Sequence, residues 1–136
     1  MLKKCQVSME YMVLVAFVLV LIVPIIFISY SNASSIKQQI AENQANKVAK
    51  KIIDSAESVY YLGKPSKTTI KVYMPDKIEN ITIGNHEVVF KMRNQGDFTD
   101  VVRSTTINIT GSLMVSEGLR YIEIQSFGNY VRIIDS

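Results

Sequence analysis

A chain of 136 residues with fifteen Lys and Arg, twelve Asp and Glu and a formal net charge of +3 has room for one small domain plus an appendage, and too little for two cores. Two of the positive charges, Lys3 and Lys4, stand ahead of an unbroken apolar run, so the rest of the chain carries only about +1; that balance gives no sign of a basic face, and no nucleic-acid partner is expected. The one cysteine, Cys5, also precedes the run, which excludes an intramolecular disulfide and leaves the domain to be held by packing alone.

Residues 1–5 read as a basic leader, and the next Lys or Arg after Lys4 is Lys37. The positive-inside rule therefore keeps the amino terminus cytoplasmic and sends the chain beyond residue 28 outside. Residues 11–28 are 18 residues without a polar break beyond the Tyr11 hydroxyl, a length that spans about 27 Å as a helix against about 30 Å of bilayer hydrocarbon. Pro24 removes one backbone hydrogen bond and predicts a bend or a loosened turn, since membrane helices tolerate proline. Three readings fit the segment. It is a secretory signal cut after the small residues 29–34, a plain membrane anchor, or a signal cut on the cytoplasmic side of the apolar run.

The polar residues in front of the run bear on that choice. Lys3-Lys4, one residue, then Gln6-x-Ser8-x-Glu10-Tyr11 and an apolar helix resembles the class III signal peptide of archaeal type IV pilin-like proteins, over roughly the first 25 residues. The resemblance implies a cut by a membrane-embedded prepilin peptidase between Cys5 and Gln6, with Lys3, Lys4, Cys5, Gln6 and Ser8 forming the processing site. Gln6 then becomes the first residue and Glu10 the fifth. Cys5 departs from the glycine or alanine usual before the cut; a lipidation reading does not fit, because a lipoprotein cysteine follows its apolar stretch. The resemblance further implies that Gln6 and Glu10 serve assembly, the carboxylate meeting the α-amine of a neighbouring subunit. Two unit charges about 4 Å apart attract by about 4 kcal/mol at an effective dielectric near 20, enough to set a stacking register. Cyclisation of the terminal glutamine would remove that amine. A lone Glu snorkelling into the head groups is the plainer reading of the same residue. The implied partners are the membrane, the peptidase, an assembly ATPase with its membrane platform, and copies of the chain or sibling pilins. The implied role is adhesion. A single-span surface binding protein that does not polymerise is the alternative.

After a small, polar stretch at 29–35, helical period resumes. Ile36, Ile40, Val48, Ile52 and Ala56, flanked by Ala41, Ala45, Ala49 and Ile53, form an apolar stripe running toward Val59 and Leu62, more suited to covering a sheet than to a coiled-coil seam. One helix over residues 6–62 is expected, ended by Gly63 and Pro65. From residue 66 the texture turns to short alternating runs. Strands are predicted at 68–74, 78–83, 87–92, 105–110, 113–115, 119–127 and 130–134. One hairpin turns about Gly84-Asn85, a turn at 94–96 closes the third run, and Gly128-Asn129 joins the last pair. The expected fold is α+β, pilin-like, with a long helix packed on a small antiparallel sheet. Its divisions are a leader at 1–5, an apolar helix at 6–28, an amphipathic extension at 29–63 and an outer β domain at 64–136.

Three Asn-x-Ser/Thr sequons, at Asn32, Asn80 and Asn108, fall on the expected outer side and are candidates for glycosylation. His86 stands alone beside a turn, and Asp97 and Asp100 lack a calcium-loop pattern and suit a solvated loop. Without a nucleophile elbow, phosphate loop or zinc signature, neither catalysis, a metal nor a cofactor is expected.

Overall fold

The computed structural model describes residues 2–94 and 96–136, with Leu2 as backbone only. Met1 of the expected leader and Gln95 of the expected 94–96 turn lie outside the described residues. One helix, α1 (Leu2–Leu62), precedes seven strands: β1 (Lys67–Met74), β2 (Ile78–Gly84), β3 (Glu87–Asn94), β4 (Asp97–Ser104), β5 (Ile109–Ser112), β6 (Gly118–Ser126) and β7 (Val131–Asp135). The chain forms two compact units, Met1–Lys37 and Gln38–Ser136.

The first unit is helical, and its large apolar side chains from Val7 to Tyr30 are 39–84% exposed. An all-apolar helix has no polar face to give to water, so it is at home where every backbone group is bonded within the helix and the solvent is hydrocarbon. By length and composition it can cross a membrane. Pro24 lies within it without interrupting α1.

In the second unit α1 lays Ala41, Ala45, Val48, Ala49, Ile52, Ile53, Ala56 and Val59 into the core, with Ala45, Ala49, Ile52 and Ala56 fully buried. Taken one residue per turn, Ala41, Ala45, Val48, Ile52, Ala56 and Val59 follow the helical period of 3.6, and the alanines let the helix lie close to the sheet. Ile36, Ile40 and Leu62, expected in the same stripe, are instead 55%, 50% and 73% exposed. A strict spacing of four drifts about 40° per step around a helix, so a row extended in fours leaves the buried face. Across from α1 stand Val72 and Met74 of β1, Val88, Phe90 and Met92 of β3, Ile122 and Ile124 of β6, and Val131 and Ile133 of β7. They alternate with outward residues at the period of two that a half-covered sheet demands.

The sheet runs β1-β6-β7-β5-β2-β3-β4. Five of its neighbour pairs are antiparallel, whereas β5 and β7 are parallel, so it is mostly, not wholly, antiparallel. Asp97 and Asp100 sit on β4, not in a loop, and β4 pairs along its whole length with β3. Residues 113–115 are irregular, and the strand expected at 105–110 begins only at Ile109 and runs to Ser112. The β2–β3 turn centres on Asn85-His86, with φ of 51° and 65°; Gly84 is still in register with Glu87. Two left-handed central residues match the right-handed twist of the strands, which is why the loop takes that pair. The Gly128-Asn129 turn stands as expected, closed by Phe127 N–H donating to the Tyr130 carbonyl at 2.9 Å.

Candidate assembly and modification sites

Gln6 and Glu10 lie one helical turn apart, and with Met9, Val13, Leu14 and Phe17 they border an open apolar groove of about 570 Å³ on the first unit. Lys3 is three residues before Gln6 and seven before Glu10, so it falls on that same face. Lys4, Cys5 and Ser8 point to other sides of the helix, all exposed, with the Cys5 thiol free. Among the described residues Glu10 forms no ion pair. Its surroundings are therefore an exposed carboxylate at the edge of an apolar strip, within a turn of the residue expected to become the amino terminus. The Cys5–Gln6 bond lies within the helical backbone of α1.

The three sequons differ in geometry. Asn32 and Ser34 are both within α1, where residues two apart point about 200° from each other. Asn80 and Thr82 are in β2, and both are exposed; residues two apart on a strand point the same way. The Asn80 Oδ1 accepts from Ile81 N–H at 2.9 Å, beside a shift of register between Ile78 and Asn80. Asn108 is exposed in the irregular stretch just before β5, with Thr110 exposed on β5. Its carbonyl accepts from Val131 N–H at 2.9 Å, which fixes the backbone while leaving the amide side chain outward. The two strand sequons thus present the Asn-to-hydroxyl geometry a glycan acceptor uses, and the helical one does not.

His86 is exposed at its turn, and no group of three or more His, Cys, Asp or Glu placed to hold a metal occurs among the described residues. One surface feature escaped the sequence reading. Lys47, Lys50 and Lys51 of α1 and Lys67 and Lys71 of β1 line two adjoining grooves along the seam between helix and sheet. The lysines belong to segments about twenty residues apart in the chain, so only folding gathers them. No protein-family model, curated protein or solved structure matches the chain.

Proposed function

We propose that the chain is a subunit of an archaeal type IV pilus-like surface filament, made as a membrane-held precursor, trimmed between Cys5 and Gln6, and then packed helix to helix outside the cell in an adhesive fibre. The observation that carries this reading is the bare apolar helix of the first unit with a single carboxylate, Glu10, at the edge of its groove. Lipid covers such a surface before assembly, and equivalent surfaces of neighbouring helices cover it afterwards. Extraction of one copy into water is prohibitive at roughly 1.5–3 kcal/mol for each large side chain, so release from lipid and docking on other copies must be coupled. That coupling requires the peptidase, an assembly ATPase and a membrane platform as partners.

Trimming also rearranges the charges beside Glu10. The precursor holds the Lys3 ammonium two turns away on the same face, and removal of residues 1–5 replaces it with an α-amine on Gln6, one turn away. The new helix start also carries the positive end of the helix dipole close to Glu10. In this reading the carboxylate selects trimmed neighbours, because only they offer an amine at the level of the apolar strip.

Two measurements test the proposal. Mass spectrometry of sheared surface fibres is expected to find chains starting at Gln6, with or without cyclisation. Glu10→Ala is expected to leave trimming intact while fibres disappear and the mature chain stays in the membrane fraction. Surface chains that keep Met1, or that start beyond Ser31, would sink the filament reading and leave an anchored or secreted monomer. Normal fibres from Glu10→Ala would remove the role given to the carboxylate.

A further inference from the structure

The second unit is close to neutral, with twelve Lys and Arg against eleven Asp and Glu over residues 38–136, yet its charges are not evenly spread. Five lysines line the seam between α1 and β1, where one groove of about 600 Å³ includes Lys47, Lys50, Lys51 and Lys67, and a second of about 240 Å³ includes Lys47, Lys51 and Lys71. The only carboxylate lining either groove is Asp54. Glu123 pairs with Lys67 at 2.8 Å, and the Lys51 ammonium donates to the Lys71 carbonyl at 2.7 Å. Like charges gathered along one seam repel each other, and the fold leaves Lys47, Lys50 and Lys71 without an ion-pair partner among the described residues.

An aromatic ring accompanies them. Tyr73, 61% exposed, lines the smaller groove beside Lys47 and Lys71. Tyr121, 49% exposed, stands across from Lys71 in the β1–β6 register on the face of the sheet away from α1, and it lines neither groove. Among the described residues no arginine, whose planar fork matches guanine, lines either groove, and the one side-chain amide there is Gln44 of the smaller groove. An open cationic track with an exposed ring at its edge suits a flexible phosphate chain whose bases are unpaired and free to stack. From Lys47 to Ser58 the helix covers about 17 Å, enough for several consecutive phosphates.

We propose that the α1–β1 seam is a binding site for single-stranded nucleic acid without sequence preference, with Lys47, Lys50 and Lys71 holding phosphates and Tyr73 stacking bases. The site does not depend on filament assembly, so it can be tested on the unassembled chain. The probe is a fluorescent oligothymidylate of about twenty nucleotides, titrated by anisotropy with the full chain in a non-ionic detergent across a series of salt concentrations. Three neutralised phosphates give a slope of log affinity against log salt of about −2 for a single strand. Lys47→Gln with Lys50→Gln is expected to flatten that slope by about 1.4. Tyr73→Leu is expected to weaken binding about fivefold or more with the slope unchanged. Lys91→Gln, a lysine outside the seam that lies over the Phe98 ring, is the control and is expected to change neither. Circular dichroism confirms that each variant is folded.

Absence of binding at about 50 mM salt overturns the proposal. So does tighter binding of a duplex of the same length. An equal loss in Lys91→Gln overturns it too, since the charge effect would then not be local. Displacement by a sulfated polysaccharide, together with full binding by Tyr73→Leu, would make the seam a general polyanion surface and refute the nucleic-acid assignment.

Discussion

Gly111 joins the two parts of the sheet, and replacing it with alanine is expected to break that joint. It is in register with Ile133 of β7 on one side and forms the sole β2–β5 register pair, with Ile83, on the other. Its φ is +154°, and a Cβ built there would lie 1.8 Å from the Ile133 carbonyl oxygen. Real Cβ atoms stay at least 3.0 Å from such an atom, so β5 and β7 must part by at least the difference, 1.2 Å. The obstacle is backbone, which cannot swing aside as a flexible side chain would. The parallel β5–β7 pairing covers four residue pairs. At about 1 kcal/mol net for each ladder hydrogen bond, with some strain remaining, Gly111→Ala should cost roughly 3–5 kcal/mol. Small domains have about 5–15 kcal/mol in total. Each kcal/mol moves the melting temperature of a domain this size by about 4–8 °C, so a fall of about 12 °C or more is expected. Thermal unfolding of the detergent-solubilised full chain, followed by circular dichroism, measures it. Gly128→Ala is the comparison: Gly128 has φ of +94° with nothing within 4 Å of the added carbon, and only the local conformational cost of about 1–2 kcal/mol applies. If Gly111→Ala melts within about 4 °C of the parent, or no lower than Gly128→Ala, the close approach of β5 and β7 is refuted.

Two more outcomes follow from the packing and the sequons. Ile52→Ala empties a fully buried position of α1 against the sheet and should cost about 2–5 kcal/mol in chemical denaturation, whereas Ile40→Ala, half exposed, should cost under about 1 kcal/mol. For the glycan sites, chain isolated from the cell surface should gain electrophoretic mobility on Asn80→Gln and on Asn108→Gln and show no shift on Asn32→Gln; the reverse order would contradict the helix-versus-strand geometry.

Features that depend on local pattern were legible before the fold was known. The unbroken apolar run, the end of α1 before Gly63, and the alternation of Val72 with Met74 or Ile122 with Ile124 all follow from the periods of helix and strand. The strand β4 was hidden because it is an edge: of its eight residues only Val101 is buried, while Asp97, Asp100 and Arg103 give it the look of a loop. Charged residues on an edge strand also keep it from pairing with other chains. The parallel β5–β7 pair was hidden for another reason, since no turn joins Ile109–Ser112 to Val131–Asp135 and nothing local specifies their register. At the candidate sites, sequence spacing sufficed to place Gln6 and Glu10 on one face. The sequons could be ranked as well, since the expected helix over 6–62 and strands at 78–83 and 105–110 already set Asn32 apart from Asn80 and Asn108, although β5 begins only after Asn108. The lysine seam was invisible for want of the tertiary contact between α1 and β1.

The pairing of β1 with β6 has a consequence for the order in which the second unit is made. The meander β2-β3-β4 closes through short local turns, while β1 must wait for a strand that begins 44 residues after it ends, at Gly118 following Met74. Such distant partners slow folding, because the loop between them is ordered before it is rewarded. β7 then closes the gap between β6 and β5, and the residue after it is also held, the Ser136 N–H donating to the Tyr121 carbonyl at 3.0 Å. The buried row of α1 from Ala41 to Val59 therefore stays only partly covered until β7 brings Val131 and Ile133 against it. A chain made amino terminus first thus completes this sheet only when β7 is added, and removal of residues 131–136 would leave β6 without a neighbour on one side and take Val131 and Ile133 from the cover of the helix.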